Sequence, residues 1–310
     1  MNDTEIANAL NKCFVNRASL VFNSNCPDDS RYEILLRSFV EERLQGNVFQ
    51  IPQVTEKFVI HQLSNLDSCK SPGTDGINNV FLKIGAPVIG HSLTSILNKF
   101  IVNGYFPSHW KVARVTPIFK SGETNDPDNY RPISILTALS KILERHVHIQ
   151  LFQYLERNNL LYSLQSGFRK SHSCETALLK IWDLWMKDIS KKRLIGALFV
   201  DIRKAFESVS HIRLLDKLRL YGVQNKSLSL FRSYLTDRKQ QVKFHHAVSD
   251  IIDVHRGVLQ GSISGPLLFL VYINDLHLQV YRGDIVEVSC QKDSAKAFSF
   301  SSNQTLFEIR

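Results

Sequence analysis

The chain has 310 residues, 44% of them hydrophobic and 22% charged, which is the composition of a globular protein with a buried core and excludes disordered and fibrous classes. The formal net charge is +9, but residues 1–56 carry 8 acidic and 5 basic side chains, so the positive excess lies in residues 57–310. That excess favours a polyanionic partner, although charge alone fits an ordinary basic protein equally well. Five scattered cysteines argue against a zinc or disulfide scaffold, and we find neither a signal peptide nor an apolar stretch of bilayer length. We expect an intracellular protein, cytoplasmic or nuclear, without a membrane partner.

Apolar periodicity and capping residues predict mainly helices in the first half of the chain. Residues 1–53 are expected to form a helical N-terminal extension of two helices, the second stopped by Gly46. The turn residues at 71–76 predict a loop, and a β-rich run at 112–118 leads into a polar loop at 120–129. Further helices are predicted at 55–66, 88–103, 140–158 and 174–190.

The second half of the chain mixes strands and helices without a regular order. Residues 193–201 predict a buried strand, because polar alternation is absent before its last residue. The other predicted elements are helices at 211–221 and 225–235, a hairpin from 240–244 and 250–256, and a helix at 267–276 with Pro266 as its first residue. This mixture predicts an α+β fold.

Asp201 ends the predicted buried strand and is the first candidate for catalytic chemistry. A carboxylate on a rigid strand end is a good ligand for Mg²⁺, which prefers oxygen donors in near-octahedral geometry, and the backbone carbonyl of Ile202 could be a further ligand. Two such ions about 3.5–4 Å apart would support phosphoryl transfer. The alternative is an aspartate that caps the following turn.

The segments after Asp201 contain candidate nucleotide contacts. The ring of Phe206 could close the floor of a nucleotide site and exclude a 2′-hydroxyl. The amide of Gln260 could hydrogen-bond an incoming nucleotide, and Gly261 beside it permits a close backbone approach. The alternatives are a core phenylalanine and a Gly/Ser-rich helix N-terminus.

Several basic residues are candidates for contacts to phosphates. Lys120 and Arg131 flank the polar loop and could hold a triphosphate. Four others lie near aromatic residues, a combination that suits single-stranded nucleic acid, and they are Arg169, Lys170, Arg238 and Lys239. The alternative for Lys120 and Arg131 is two solvated loop charges, and for the other four the pattern alone is a weak signal.

A series of short motifs covers most of the chain between Val54 and Val280. The motifs lie at 70–77, 106–111, 129–134, 165–169, 199–201 with 204–206, 260–262, 265–269 and 272–276. In this order and spacing they resemble the reverse transcriptase of a non-long-terminal-repeat retrotransposon.

The resemblance implies a right-hand polymerase fold, with fingers at 54–195 and a palm at 196–280. It implies RNA-directed DNA synthesis from deoxynucleoside triphosphates on an RNA template and a DNA primer, with two Mg²⁺ ions. The implied site residues are Asp201 as a metal ligand, Phe206 as the steric gate, Gln260 and Gly261 at the nucleotide, and Lys120 with Arg131 at the triphosphate.

The chain departs from the family pattern at several positions. Glu207 stands where the family usually has Asp, and Leu259 and Ser264 replace a usual Pro and Leu. Beyond the last motif the family continues to a hairpin with an aromatic-Ala-Asp-Asp turn, whereas no adjacent Asp-Asp pair follows Asp201 in this sequence. We therefore expect an incomplete palm sheet, no thumb, and a C-terminal tail, residues 281–310, outside the family pattern.

A carboxylate from the tail could stand in for the missing pair. We expect 285–290 and 295–300 to pair as a hairpin with Asp293 in its turn, covering the open sheet edge beside the Asp201 strand. Asp293 is a candidate metal ligand if this brings it within several ångströms of Asp201. Asp275 is disfavoured, because its motif is not the family's ligand site.

The sequence therefore leaves different functions open. The favoured interpretation is an RNA-directed DNA polymerase domain that is catalytically defective, because one carboxylate cannot readily balance two divalent ions. The alternatives are a non-catalytic nucleic-acid-binding remnant or domesticated fragment, and a working polymerase with a second carboxylate from the tail or a partner chain. A polymerase that makes RNA is disfavoured by Phe206.

Overall fold

The computed structural model describes residues 2–17, 30–202, 204–279, 284–291 and 294–301, with the backbone alone described at 30–32, 196–201, 277, 279 and in the last two ranges. Helices and strands are interspersed along these ranges, which confirms the expected α+β fold. The helices are α1 (Asp3–Asn16), α2 (Ser30–Leu44), α3 (Glu56–Ser64), α4 (Asn79–Ile84), α5 (Ala86–Asn103), α6 (Ala138–Arg157), α7 (Cys174–Ser190), α8 (His211–Leu220), α9 (Asn225–Leu235), α10 (Ser264–Ile273) and α11 (Leu276–Gln279).

The strands form two sheets. They are β1 (Val112–Phe119), β2 (Tyr130–Ile135), β3 (Gly196–Ile202), β4 (Arg238–Phe244), β5 (Ala247–Val248), β6 (Ile252–Val254), β7 (Asp284–Gln291) and β8 (Ser294–Ser301). The first sheet has the order β2-β1-β4-β5, with β6 also paired to β4, and its β1–β4 contact is parallel. The second sheet is antiparallel, with the order β3-β8-β7.

One apolar core joins residues from Leu36 to Ile273, so the predicted fingers and palm segments share their interior. Helix α10 lies inside it, and Leu267, Leu268 and Leu270 are all no more than 2% exposed. A helix that is apolar on every side must be covered on every side, which explains why helices α6 and α8 pack against it. Burial of this helix contributes hydrophobic stabilisation to the fold.

Helix α1 packs separately, on one face of the first sheet. Leu10 and Phe14 form a small cluster with Val115 of β1 and Val242 of β4. The amide of Asn11 donates to the Ser249 hydroxyl at 2.9 Å, so apolar contacts and a buried polar contact together fix the helix on the sheet.

Most of the predicted elements are confirmed, with small shifts at their ends. Thr55 caps α3, its hydroxyl accepting a hydrogen bond from the amide of Phe58 at 3.3 Å. The prediction for Pro266 is wrong, because α10 begins at Ser264 and places the proline third. The sequence analysis also missed α4, which is only six residues long and therefore has little periodicity.

Candidate active site and nucleic-acid interface

Asp201 is the second-last residue of β3, at the strand end where the sequence analysis placed it. The expected C-terminal hairpin is confirmed in the backbone, since β7 and β8 pair with each other and β8 pairs with β3. The register sets Asp201 opposite Lys296, and the sequence of β8, the strand directly beside β3, contains no aspartate or glutamate. Asp293 and the side chain of Asp201 lie outside the described residues, so their separation stays untested.

The segment after β3 is tied by its backbone to the glycine-rich loop at 257–261. The amide of Gly257 donates to the carbonyl of Val209 at 2.8 Å, and the amide of Val258 donates to the carbonyl of Phe206 at 2.9 Å. Gly257 has φ +84°, and an added Cβ would lie 2.9 Å from the Cα of Glu207. Glycine is therefore required where the two segments meet, and two motifs that are distant in sequence share one site.

Gln260 and Gly261 lie between Glu207 and strand β2. The amide group of Gln260 donates to the carboxylate of Glu207 at 3.3 Å, and the Gln260 carbonyl accepts from the amide of Ser134 at 2.7 Å. At Gly261, φ is +111° and an added Cβ would lie 2.4 Å from the Ser134 carbonyl oxygen. The close approach that the sequence predicted is thus made to β2, the strand that also contains Arg131.

Phe206 is 7% exposed and belongs to the core. Its ring stacks on Phe269 with centroids 4.8 Å apart and meets the edge of Phe168 at 5.7 Å. The structure therefore gives it the surroundings of a core phenylalanine, and its role as a steric gate stays a prediction.

Lys120 and Arg131 lie on the same face of the β1–β2 hairpin. Ile118 pairs with Arg131, and the amide of Lys120 continues the ladder by donating to the carbonyl of Asn129 at 2.8 Å. Because side chains alternate along a strand, Arg114 shares this face, and the β1–β4 register adds two exposed lysines. We call this surface the basic face and define it as Arg114, Lys120, Arg131, Lys239 and Lys243. Helix α1 covers the opposite face of the sheet.

Three of the four predicted nucleic-acid contacts have partners within the protein. Arg238 is 3% exposed, with its guanidinium 4.1 Å from the ring centroid of Tyr234, so it packs inside the protein and its nucleic-acid contact stays a prediction. Arg169 forms an ion pair with Glu156 at 3.0 Å and donates to a backbone carbonyl, which engages it inside the protein. Lys170 and Lys239 are exposed, as a phosphate contact requires, and the ammonium of Lys239 lies 3.6 Å from the carboxylate of Asp253 in a surface ion pair.

The sequence analysis missed Glu144, a buried carboxylate beneath the glycine-rich loop. It is 2% exposed and accepts hydrogen bonds from the amides of Ile263 at 2.9 Å and Ser264 at 3.3 Å. A carboxylate at the N-terminus of α10 is favoured by the helix dipole. Burial nevertheless raises the pKa of Glu144, while the positive charge of Arg238 opposes that rise. Glu144 lies in a helical pattern, and nothing in its sequence context signals this contact.

Asp275 belongs to a buried ion pair and not to the predicted metal site. Its carboxylate lies 2.7 Å from the ammonium of Lys217, and Asp275 is 2% exposed. Burial raises the pKa of Asp275 to about 7 and lowers the pKa of Lys217 to about 7. The pair joins α8 to the end of α10, which gives Asp275 a structural role.

The comparisons with known proteins agree with these motifs. The family described as reverse transcriptase (RNA-dependent DNA polymerase) matches residues 118–290, more than half of the chain. A probable RNA-directed DNA polymerase from transposon X-element of Drosophila melanogaster is 33% identical over 226 residues, covering 73% of this chain and 24% of that protein. From the same organism, the probable polymerase from transposon BS is 31% identical, covering 89% of this chain and 30% of its own length. The polymerase from mobile element jockey is 32% identical, covering 76% and 26% respectively.

The chain therefore belongs to the reverse transcriptase family. It is a reverse transcriptase domain of non-long-terminal-repeat retrotransposon origin, as the order of its motifs predicted. It spans between 24% and 30% of the length of these three relatives.

Within the described ranges, no helix combines the length and the apolar character needed to cross a bilayer.

Proposed function

We propose that this reverse transcriptase domain binds a primed RNA template and deoxynucleoside triphosphates but does not join nucleotides. The observation that carries the proposal is the strand beside Asp201: β8 contains no carboxylate, and the residue opposite Asp201 in the register is Lys296. Nucleotide joining by two divalent ions needs carboxylates from more than one position, because a single acid cannot neutralise both ions.

The Mg²⁺ ions that the family implies fit this donor set only in part. Asp201 and the Ile202 carbonyl are suitable oxygen donors on a strand end. Among the residues that the structure describes, no cluster of three or more carboxylate, histidine or cysteine side chains is arranged to hold a metal.

The basic face supports the binding part of the proposal. Its exposed lysines would contact phosphates, and Lys120 with Arg131 would hold the triphosphate on this face of the hairpin whose edge strand, β2, bonds the loop that contains Gln260. Gly261 supports this placement, since the loop can approach β2 only with glycine there. In this proposal residues 54–195 correspond to the fingers and 196–280 to the palm, and residues 1–53 are an added helical extension.

A working polymerase is the second candidate, and the C-terminal hairpin is the observation that favours it. That hairpin adds two strands beside β3, as the family's own hairpin would, and Asp293 lies two residues after the end of β7 in the sequence. A second carboxylate from Asp293 or from a partner chain would complete the metal site.

Fluorescence anisotropy with a labelled DNA primer annealed to RNA tests this binding. The salt concentration is varied from about 50 to 300 mM, a range over which counterion release changes the affinity strongly. We expect affinity to fall steeply with salt, and the Lys239→Gln/Lys243→Gln variant to reduce the slope by about 1–2, since each lost phosphate contact removes about 0.7–0.9. Absence of salt-sensitive binding in the unsubstituted chain would overturn the proposal.

A further inference from the structure

Helix α1 lies outside the motifs of the resemblance, yet the structure docks it on the sheet beside the loop that contains Gln260. Phe14 and Val15 at its end line the same cleft as Glu207, Ser134 and Gln260. The N-terminal extension therefore contributes one wall of the cleft.

Arg17 follows α1 and is 4% exposed. Its guanidinium forms an ion pair with the carboxylate of Asp128 at 3.0 Å and donates to the backbone carbonyl of Tyr130 at 3.1 Å. It also donates to the carbonyl of Pro127. One side chain thus contacts three residues of the β1–β2 connection, which lies between Lys120 and Arg131.

Asp128 extends this contact to the segment after β3. The same carboxylate oxygen lies 3.0 Å from the ammonium of Lys204. Lys204 lies between Asp201 and Phe206 in sequence, and its φ of +54° is a conformation that non-glycine residues rarely adopt. A single carboxylate therefore links α1, the β1–β2 loop and the segment that leads from Asp201 to the glycine-rich loop.

We propose that Arg17 and Asp128 are positioning residues, which fix the β1–β2 loop and so hold Lys120 and Arg131, at its two ends, in place on the basic face. Neither residue contacts the nucleotide. They act by removing alternative positions of the loop, so the two cations are held in place before the ligand binds. The choice of a triphosphate as the ligand rests on the proposed function, whereas the restraint on the loop does not.

Two measurements on the full chain test this proposal. The first is hydrogen exchange of the backbone amides at 121–130, which needs no ligand. The second is the affinity for a fluorescent N-methylanthraniloyl dATP in the presence of Mg²⁺. The variants are Arg17→Gln, Asp128→Asn and the double variant, with Arg37→Gln as the control, because Arg37 forms an exposed ion pair with Glu33 away from the loop.

We expect Arg17→Gln and Asp128→Asn each to speed exchange at 121–130 and to weaken nucleotide binding about tenfold, within the usual range of coupling between sites. The double variant should be no weaker than the more affected single variant, because both changes remove one interaction. Arg17→Lys should restore part of the affinity, since it retains the charge but loses the planar group that reaches several acceptors. Thermal unfolding identifies any variant that has lost its fold.

Three other outcomes would each contradict one part of the proposal. Unchanged exchange at 121–130 in folded Arg17→Gln and Asp128→Asn would overturn the restraint. Faster exchange with unchanged nucleotide affinity would overturn the positioning role. Failure of the unsubstituted chain to bind the nucleotide would overturn the proposed function, and the exchange result would still decide whether Arg17 and Asp128 restrain the loop.

Discussion

The contact between the glycine-rich loop and strand β2 makes Gly261→Ala a demanding test of the site. The new methyl group would lie 2.4 Å from the carbonyl oxygen of Ser134 and 3.3 Å from its carbonyl carbon. Carbon–oxygen contacts between packed backbones are about 3.3–3.6 Å, so the loop or the strand must move by close to an ångström. The hydrogen bond from the Ser134 amide to the Gln260 carbonyl holds both segments and resists that movement.

Two costs add in this variant. The positive φ of +111° is unfavourable for alanine by about 1–2 kcal/mol, and the forced separation costs about 1–3 kcal/mol, as overpacking does in a dense interior. We therefore expect Gly261→Ala to lower the free energy of unfolding by about 2–5 kcal/mol, a large part of the 5–15 kcal/mol typical of a domain.

Urea unfolding of the full chain measures this cost, with Gly46→Ala as the matched control. Gly46 has φ +86°, but no atom lies within 4 Å of an added Cβ, so only the backbone cost of about 1–2 kcal/mol applies. An equal loss of stability in the two variants would refute the close approach at Gly261. The same would follow if Gly261→Ala bound nucleotide as well as the unsubstituted chain, because Gln260 would then be undisturbed.

Three further predictions concern charged residues. Glu144→Gln should flatten the pH dependence of the free energy of unfolding. Burial raises the folded-state pKa of Glu144, so its contribution to stability is present at low pH and is lost as pH rises above the ordinary glutamate pKa of 4.5. Urea unfolding between pH 4 and 7 should show the stability curves of the variant and the unsubstituted chain diverging, whereas parallel curves would contradict the pKa shift. Asp275→Asn should lower the free energy of unfolding in urea by about 3 kcal/mol, because it leaves the Lys217 ammonium buried without its carboxylate. The Asp275→Leu/Lys217→Met variant should lose less stability than Asp275→Asn, an order that a purely steric effect would not give. Lys170→Gln should weaken binding of the primed RNA template and reduce its salt slope by about 0.7–0.9, whereas exposed Lys57 on α3 should tolerate the same change, and equal effects of the two would remove Lys170 from the interface.

Local sequence was sufficient to predict much of the fold. The interval 174–190 was predicted as a helix and is α7, because Ser173 provides a capping box and the apolar residues keep a helical period. Pro266 misled the assignment of α10, since the actual start at Ser264 is stabilised by a distant carboxylate, that of Glu144. Helix ends that depend on tertiary partners cannot be located from their own residues.

The site divides in the same way. The motif series correctly associated the Asp201 segment with the loop at 257–261, and the bonds from Gly257 and Val258 confirm that they meet. Burial of Arg238 was not predictable, because its contacts with Tyr234 and Phe106 exist only after the strand has packed. The link from Arg17 to Asp128 joins residues more than a hundred positions apart, and no local pattern signals it.

The most direct test of the proposed function is Mg²⁺-dependent incorporation of deoxynucleotides on a primed RNA template, performed with the full chain and with Asp201→Asn at a salt concentration where both bind the template. We predict no incorporation above background by either protein, with binding retained. Incorporation by the unsubstituted chain that disappears in Asp201→Asn would contradict the account, because it would require a second metal-binding carboxylate beside Asp201.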